Sequence, residues 1–290
     1  MTSVYISNEN IQVVIGSKSG GRLRVQRVIT GSIDDGCIIN GIITDETALR
    51  SRITDLWKTH GLPRRGISLV VESSAVSTKI LALPNVRSPY IMKLVRESFT
   101  EFDAEEPVYD FRVLGAAKDG GVSVLGCMTE RSFVSGYIDI FAAAGVRLSS
   151  IDLALSGQIK LAKFCKELSE RSYILAVLDK NTVSLFLFID GEYRFSKRQR
   201  ILYNRDTPEL SDEIGRMISS LIQFKKSENI SAEITDVFLC GFSDQEINSA
   251  SLMFDGMKLG RLPGLSSIIP GDGIDADTLS DCVLALGNLL

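Results

Sequence analysis

The sequence predicts an α/β protein in which one plan of strands and helices occurs twice, with a small α+β subdomain inserted in the first copy. Three observations predict it. First, the order strand, polar turn, strand, Gly-bearing turn and third strand runs from Val4 to Ile29 and again from Ile174 to Ile201, with Gly20-Gly21 and Asp190-Gly191 at the second turns. Second, each copy leads to an amphipathic helix. After Thr44, Leu49, Ile53, Leu56 and Trp57 share one face and Gly61 is the stop; after Thr207, Pro208 enters the first turn and Leu210, Ile214, Met217, Ile218 and Leu221 form the stripe. Third, the segment between the copies follows neither pattern.

That segment has its own elements. Ser88-Pro89 opens a helix predicted to run through about Phe102, followed by strands over 109–115 and 121–128 joined by a Lys-Asp-Gly-Gly turn. A helix over 133–144 and a strand over 146–153 complete a helix-strand-strand-helix-strand unit. Two meanders, each followed by helices, are the plan of the duplicated actin-like (ribonuclease H-like) fold, whose two lobes hold nucleotide between them. The expected organisation is a first-lobe core over 1–84, the inserted subdomain over 85–150 and a first-lobe helix and linker over 151–171. A second lobe over 172–272, with a shortened lid, and a closing C-terminal helix over 273–290 complete it.

Composition bounds the function. The 290 residues are 44% hydrophobic and 23% charged, enough for a sizeable core, and the formal net charge of −4 leaves no basic excess for nucleic acid. Five scattered cysteines, Cys37, Cys127, Cys165, Cys240 and Cys282, form no C-x-x-C pair and read as reduced, buried thiols. The N-terminal residues lack the blocks of a signal peptide, and no apolar run reaches the roughly 18 residues that span a bilayer. A cytoplasmic location is expected.

Three stretches then make the reading specific: SIDDGCIINGIITD (32–45), ISLVVESSAVSTKILALP (67–84) and FAAAGVRLSSIDL (141–153), with DCVLALGNLL closing the chain. In this order they resemble the PilM family of type IV pilus assembly proteins, which is related to FtsA. The resemblance implies a cytoplasmic actin-like scaffold, held at the inner face of the membrane by the cytoplasmic tail of a PilN-like protein. Pilus motor ATPases and further copies of the chain are its other implied partners. It places the tail in a groove between the first lobe and the inserted subdomain, for which Val71 and Ile80 are the region's candidate residues. The cytoplasmic part of a GspL protein of type II secretion is similar as well.

The same resemblance locates the nucleotide motifs, and each has changed. Where the family's first hairpin carries Asp, Gly and Lys, this chain has Tyr5, Ser7 and Gln12, with Asn8 at the tip. In the second hairpin the aspartate falls at Val177 or Leu178 and the glycine at Asp179 or Lys180; Asp179 is the nearby carboxylate and Ser184 takes the usual threonine's place. The adenosine-side Gly-Gly becomes VFLCGF, keeping Gly241 with Cys240 or Phe242 beside it. Glycine lets phosphate approach the backbone, and aspartates hold magnesium through water. Three changed motifs predict a protein without ATPase activity, in which ATP and magnesium are cofactors only if the altered loops still bind. The alternative is an active actin-like ATPase with a nucleotide-driven assembly cycle. A sugar or acetate kinase of the same superfamily would need a catalytic acid beside intact phosphate loops, and none is found.

Simpler readings cover the remaining features. His60, the sole histidine, sits before a Gly-Leu-Pro helix stop, where it favours the helix dipole. No G-x-S-x-G turn or second histidine supports a hydrolase triad. Asp34-Asp35 and Glu105-Glu106 read as solvated loop charges. The basic strand 194–200 alternates as a half-exposed strand does, with contact to anionic lipid or a partner as its functional reading.

Overall fold

The computed structural model describes all residues except Asp103, Lys118, Asp119 and Asp255, so the first half of the expected Lys-Asp-Gly-Gly turn lies outside the described residues. The chain begins with strands β1 (Thr2–Ile6), β2 (Asn10–Ser19), β3 (Arg22–Ser32), β4 (Ile38–Ile39) and β5 (Ile42–Ile43), then helix α1 (Glu46–His60). Strands β6 (Ile67–Val71) and β7 (Ser77–Leu83), helix α2 (Ser88–Glu97), strands β8 (Pro107–Ala116) and β9 (Val122–Glu130) and helix α3 (Arg131–Ala143) follow. Next come strand β10 (Leu148–Leu153), helices α4 (Ala154–Phe164) and α5 (Lys166–Ser169), and strands β11 (Tyr173–Asp179), β12 (Thr182–Ile189) and β13 (Glu192–Arg200). Helix α6 (Pro208–Ser227), strand β14 (Asp236–Cys240), helix α7 (Asp244–Ser251), strands β15 (Lys258–Gly260) and β16 (Ile268–Pro270) and helices α8 (Ala276–Asp281) and α9 (Val283–Leu286) complete it, with a 3-10 turn over Gly287–Leu289.

The chain forms two compact units, one of Met1–Ser32, Gly66–Val71 and Ser149–Leu290, the other of Ile33–Arg65 and Glu72–Leu148. This division differs from the expected boundaries at 84, 150, 171 and 272. One reason is β7, which pairs with β9 rather than with the first meander, Ile80 standing opposite Leu125. Another is α1, whose Trp57 packs edge-on against Phe141 of α3 at 5.8 Å.

The larger unit holds two sheets, ordered β10-β6-β1-β2-β3-β16 and β13-β12-β11-β14-β15. Counted from the start of each meander, both have the order third, second, first, fourth, fifth. In both, the first three strands are antiparallel and the fourth runs parallel to the first. β1, β11 and β14 lie inside their sheets and are buried along almost their whole length; β13 is an edge strand and alternates. Helix α6 is capped by Thr207 and starts on Pro208, and its stripe of Leu210, Ile214, Met217, Ile218 and Leu221 packs with Ala176, Leu178, Leu185 and Leu239 of the second sheet.

Two helices cross at the centre of this unit. α4, which follows the first sheet in sequence, packs against α9, the 3-10 turn and β13 of the second sheet; α9, at the end of the chain, packs against β1 and β2 of the first. Each half therefore contributes a helix to the other. The crossing is tight because both helices are bare at the contact: a Cβ on Gly287 would stand 2.4 Å from the Gly157 carbonyl oxygen. Gln158 Nε2 donates to the Val283 carbonyl at 3.0 Å, and Lys160 Nζ reaches both Asp152 Oδ2 at 2.9 Å and Asn288 Oδ1 at 3.3 Å.

The expected closing helix over 273–290 is broken. α8 begins after its Asp275 cap, and Cys282, at φ −104° and ψ 22°, separates it from α9. The Asp281 carbonyl accepts from Gln12 Nε2 at 3.1 Å, a partner outside the helix. Helix α2 is likewise shorter than predicted. Ser98 Oγ donates to the Val95 carbonyl at 2.7 Å, a side-chain bond that competes with the helical ladder, and Phe99 turns into the core.

The smaller unit packs α2, through Ile91, Val95 and Phe99, on Val124 and Met128 of the sheet β7-β9-β8. α1 runs from its Asp45 cap to His60 and stops at Gly61, φ 56°, so His60 occupies the last turn as predicted. Tyr137 OH donates to the Gly41 carbonyl at 2.7 Å in the interior of this unit.

The helix crossing generates a prediction. Gly287→Ala forces a methyl onto backbone and should cost about 1–3 kcal/mol in denaturant unfolding. Gly264→Ala, where nothing lies within 4 Å, should change stability by no more than about 0.5 kcal/mol.

Candidate functional site

The tips of the two repeated hairpins meet. In the first, Ser7 N donates to the Asn10 carbonyl at 2.9 Å and Ser7 Oγ accepts from Asn10 N at 3.1 Å, so the buried serine closes its own turn. In the second, Asp179 pairs with Thr182 across a two-residue turn, and Lys180 takes φ +50°, a conformation uncommon for a side-chain-bearing residue. Asn10 Nδ2 donates to Asp179 Oδ1 at 2.6 Å and Tyr5 OH to Asp179 Oδ2 at 3.5 Å. In the other direction, Asn181 Nδ2 donates to Glu9 Oε1 at 2.9 Å and Lys180 Nζ lies 3.1 Å from Glu9 Oε2. Each hairpin thus supplies one carboxylate whose two oxygens are bound by the other.

Beside the tips, Gly241 follows the end of β14. Its φ of +78° and the 2.2 Å that would separate a Cβ from the Leu178 carbonyl oxygen leave no room for a side chain. Gly241 N donates to Asp281 Oδ1 at 3.1 Å, and its carbonyl accepts from Arg205 Nη2 at 2.9 Å. Gln12 therefore meets Gly241 indirectly, through the carbonyl and carboxylate of Asp281. Burial pushes the Asp281 carboxyl above its ordinary range, against the opposing pull of the Gly241 amide.

Arg205 also grips the buried Glu246 with two parallel bonds, Nε to Oε1 at 2.6 Å and Nη2 to Oε2 at 2.7 Å. The same carboxylate accepts from the amides of Ser243 and Asp206 and completes a capping box at the start of α7. Burial alone would raise Glu246; the guanidinium and the two amides outweigh it and hold the carboxyl below the usual range.

Of the residues the sequence singles out, Ser7, Gln12, Asp179 and Gly241 come together here, with Asn8 half-buried at the first tip. Ser184 is buried within β12, opposite Val177. Val71 ends β6 with 2% of its surface exposed, so a charge placed there would strike the core; Ile80, on β7 of the other unit, is 44% exposed. The contacts of Glu9, Asn10, Lys180, Asn181, Arg205 and Asp281 were not foreseen, since their partners lie far along the chain; for Glu246 the Ser243-x-x-Glu246 spacing was a local capping-box signal that the sequence reading did not use. Only the polar tips themselves hinted at the first four.

The other candidates are simpler. Cys165, Cys240 and Cys282 are buried and pushed up to about 12, chiefly by burial, so they are thiols rather than thiolates. Asp34 pairs with Arg52 and Glu106 with Arg131 in exposed ion pairs. Among the described residues no three His, Cys, Asp or Glu side chains gather as a metal site requires, and no helix is long and apolar enough to cross a membrane.

Two sheets of one strand order, linked by exchanged helices and facing hairpin tips, define a duplicated actin-like protein. The chain belongs to the family described as type IV pilus assembly protein PilM, whose model matches residues 3–252. Among solved structures it is similar to a PilM-PilN type IV pilus biogenesis complex, with a TM-score of 0.77 at 16% identity, covering 99% of this chain and 97% of that one. It is also similar to the cytoplasmic domain of EpsL, an inner membrane component of the type II secretion system of Vibrio cholerae (TM-score 0.52, 11% identity, 99% and 94% covered). A third is the ethanolamine utilization protein EutJ from Carboxydothermus hydrogenoformans (TM-score 0.52, 10% identity, 100% and 88% covered). Comparison with the curated proteins finds no match.

Two predictions follow from these contacts. In a double-mutant cycle, Asn10→Ala and Asp179→Ala should show a coupling energy of about 1–2 kcal/mol in unfolding experiments. Glu246→Ala should cost about 2–4 kcal/mol, because it leaves Arg205 and two amides without their acceptor. Since the folded-state carboxyl lies below the ordinary 4.5, the stability it adds is complete above that pH and is lost as pH falls through the lowered value. The gap between wild type and Glu246→Gln should narrow accordingly in acid titration.

Proposed function

We propose that this protein is a scaffold of type IV pilus assembly, that it binds the cytoplasmic tail of a PilN-like inner-membrane protein, and that it does not hydrolyse ATP. The observation that carries the scaffold reading is the family match over residues 3–252. Binding the tail would hold the chain at the inner face of the cytoplasmic membrane. An extended tail can add to a sheet edge through backbone hydrogen bonds, with side-chain pockets giving specificity. β7 is an edge of its three-stranded sheet and exposes Ile80, which supports that strand as the docking element.

The contacts between the hairpin tips support the absence of hydrolysis. Mg-ATP in this fold needs backbone amides and carboxylates free to face phosphate and metal. Here Asp179 and Glu9 accept from the opposite hairpin, Ser7 closes its own turn, and Gly241 is bound on both its amide and its carbonyl. The residues present do not fit the group without breaking these bonds.

Two measurements test the reading. A labelled tail peptide of a PilN-like protein should bind saturably with a micromolar Kd, because a flexible tail loses entropy on ordering, and Ile80→Asp should weaken it. No saturable binding to folded protein would remove the scaffold mechanism. A ligand at 100 times its Kd adds about 2.7 kcal/mol to native stability. Millimolar Mg-ATP should leave Tm unchanged, and a concentration-dependent rise would replace this reading with the nucleotide-driven cycle.

A further inference from the structure

We propose that an arginine-rimmed cavity beside the C-terminal end of α3 docks an acidic linear segment of a second protein partner. The cavity, of about 600 Å³, is lined by Arg64, Arg65 and Arg147 together with an apolar wall that includes Ile138, Ala142 and Val146; among the described residues no carboxylate lines it. All of these residues belong to the smaller compact unit.

The guanidinium groups are gathered by the backbone. Arg147 N donates to the Arg64 carbonyl at 2.8 Å, which ties the loop after α1 to the turn after α3. Arg64 Nη1 donates to the carbonyls of Ala144 and Gly145, at 3.3 Å each, leaving its Nε and Nη2 hydrogens for a ligand. Gly145, at φ +75°, keeps that path open, since a Cβ there would stand 2.7 Å from Arg64 Nη1. Elsewhere Arg52, Arg131, Arg205 and Arg216 each hold a carboxylate. Among the described residues none of the three cavity arginines does. Three arginines thus line one cavity of a chain whose net charge is −4, and an anionic occupant would complement them.

The shape selects the occupant. Guanidinium forks match carboxylates in bidentate geometry, and the hydrogen bonds that hold Arg64 lower the ordering cost of binding there. Ile138, 46% exposed on α3, offers an apolar surface to a side chain lying between two carboxylates. A concave wall of this kind suits a peptide better than a flat bilayer.

The test is fluorescence anisotropy with an eight-residue labelled peptide in which two leucines are flanked on each side by glutamate and aspartate. It should bind saturably at low salt, and Arg65→Glu/Arg147→Glu should weaken it at least about 10-fold, as should raising the salt to about 0.3 M. Arg64→Ala is omitted from the deciding comparison because it also removes hydrogen bonds at the end of α3; cooperative melting confirms that the double variant folds. Hydrogen exchange should slow over 62–66 and 138–148 on binding. Equal affinity for wild type and variant overturns the proposal. So does displacement of the probe by the PilN-like tail, which would merge the two sites, or capture of the wild type by phosphatidylglycerol vesicles without peptide binding. Failure here leaves the tail titration at its own site unaffected.

Discussion

The contact on which the larger unit depends is the crossing of α4 with the C-terminal helix at Gly157 and Gly287. Two backbones meet there without side chains between them, and each helix lies against the sheet of the other half. Close packing makes such a joint intolerant of added volume while giving it many small dispersion contacts. The polar bonds around it, from Gln158 to Val283 and from Lys160 to Asn288, set the register of the crossing. Because the C-terminal residues complete the first sheet's cover, the first half is finished only when the last residues of the chain arrive. Long sequence separation of this kind costs loop entropy before it returns contact energy, so the fold's assembly is tied to its two ends meeting.

The facing hairpins depend on that joint. Once the two sheets are set side by side, Asp179 and Glu9 come within reach of Asn10, Tyr5, Asn181 and Lys180. Side chains bridge the two hairpins directly. The substitutions are chemically matched: amide and ammonium donors on one tip face a carboxylate on the other, and the reverse. Arg205, Glu246, Asp281 and Gly241 extend the same principle to the end of β14, where a buried, hydrogen-bonded ion pair fixes the start of α7. The shape at the hairpins is therefore set by bonds within the chain itself.

The smaller unit is built on different terms. Its sheet is covered by α2 on Ile91, Val95 and Phe99, while α1 and α3 meet through Trp57 and Phe141. Its outer features include an edge strand with an exposed isoleucine and a cavity lined by three arginines. Both are what remains after its own core and hydrogen bonds are satisfied.

The sequence by itself determined the fold class, the repeat and most elements, because strand alternation, the Thr207 cap and the apolar stripes of α1 and α6 are local patterns. Through the family resemblance it also raised the expectation that Tyr5, Ser7 and Gln12 occupy altered nucleotide motifs. Only the tertiary structure decided which groups those residues meet. Asn10 and Asp179 are 169 positions apart, as Gln12 and Asp281 are 269 apart, and nothing in a local window links such residues. It decided also that β7 belongs with β9, that Val71 is interior and Ile80 exposed, and that the last helix breaks at Cys282. Each of those outcomes is set by a pairing or a hydrogen bond from a distant strand, and local propensity is too weak to anticipate it.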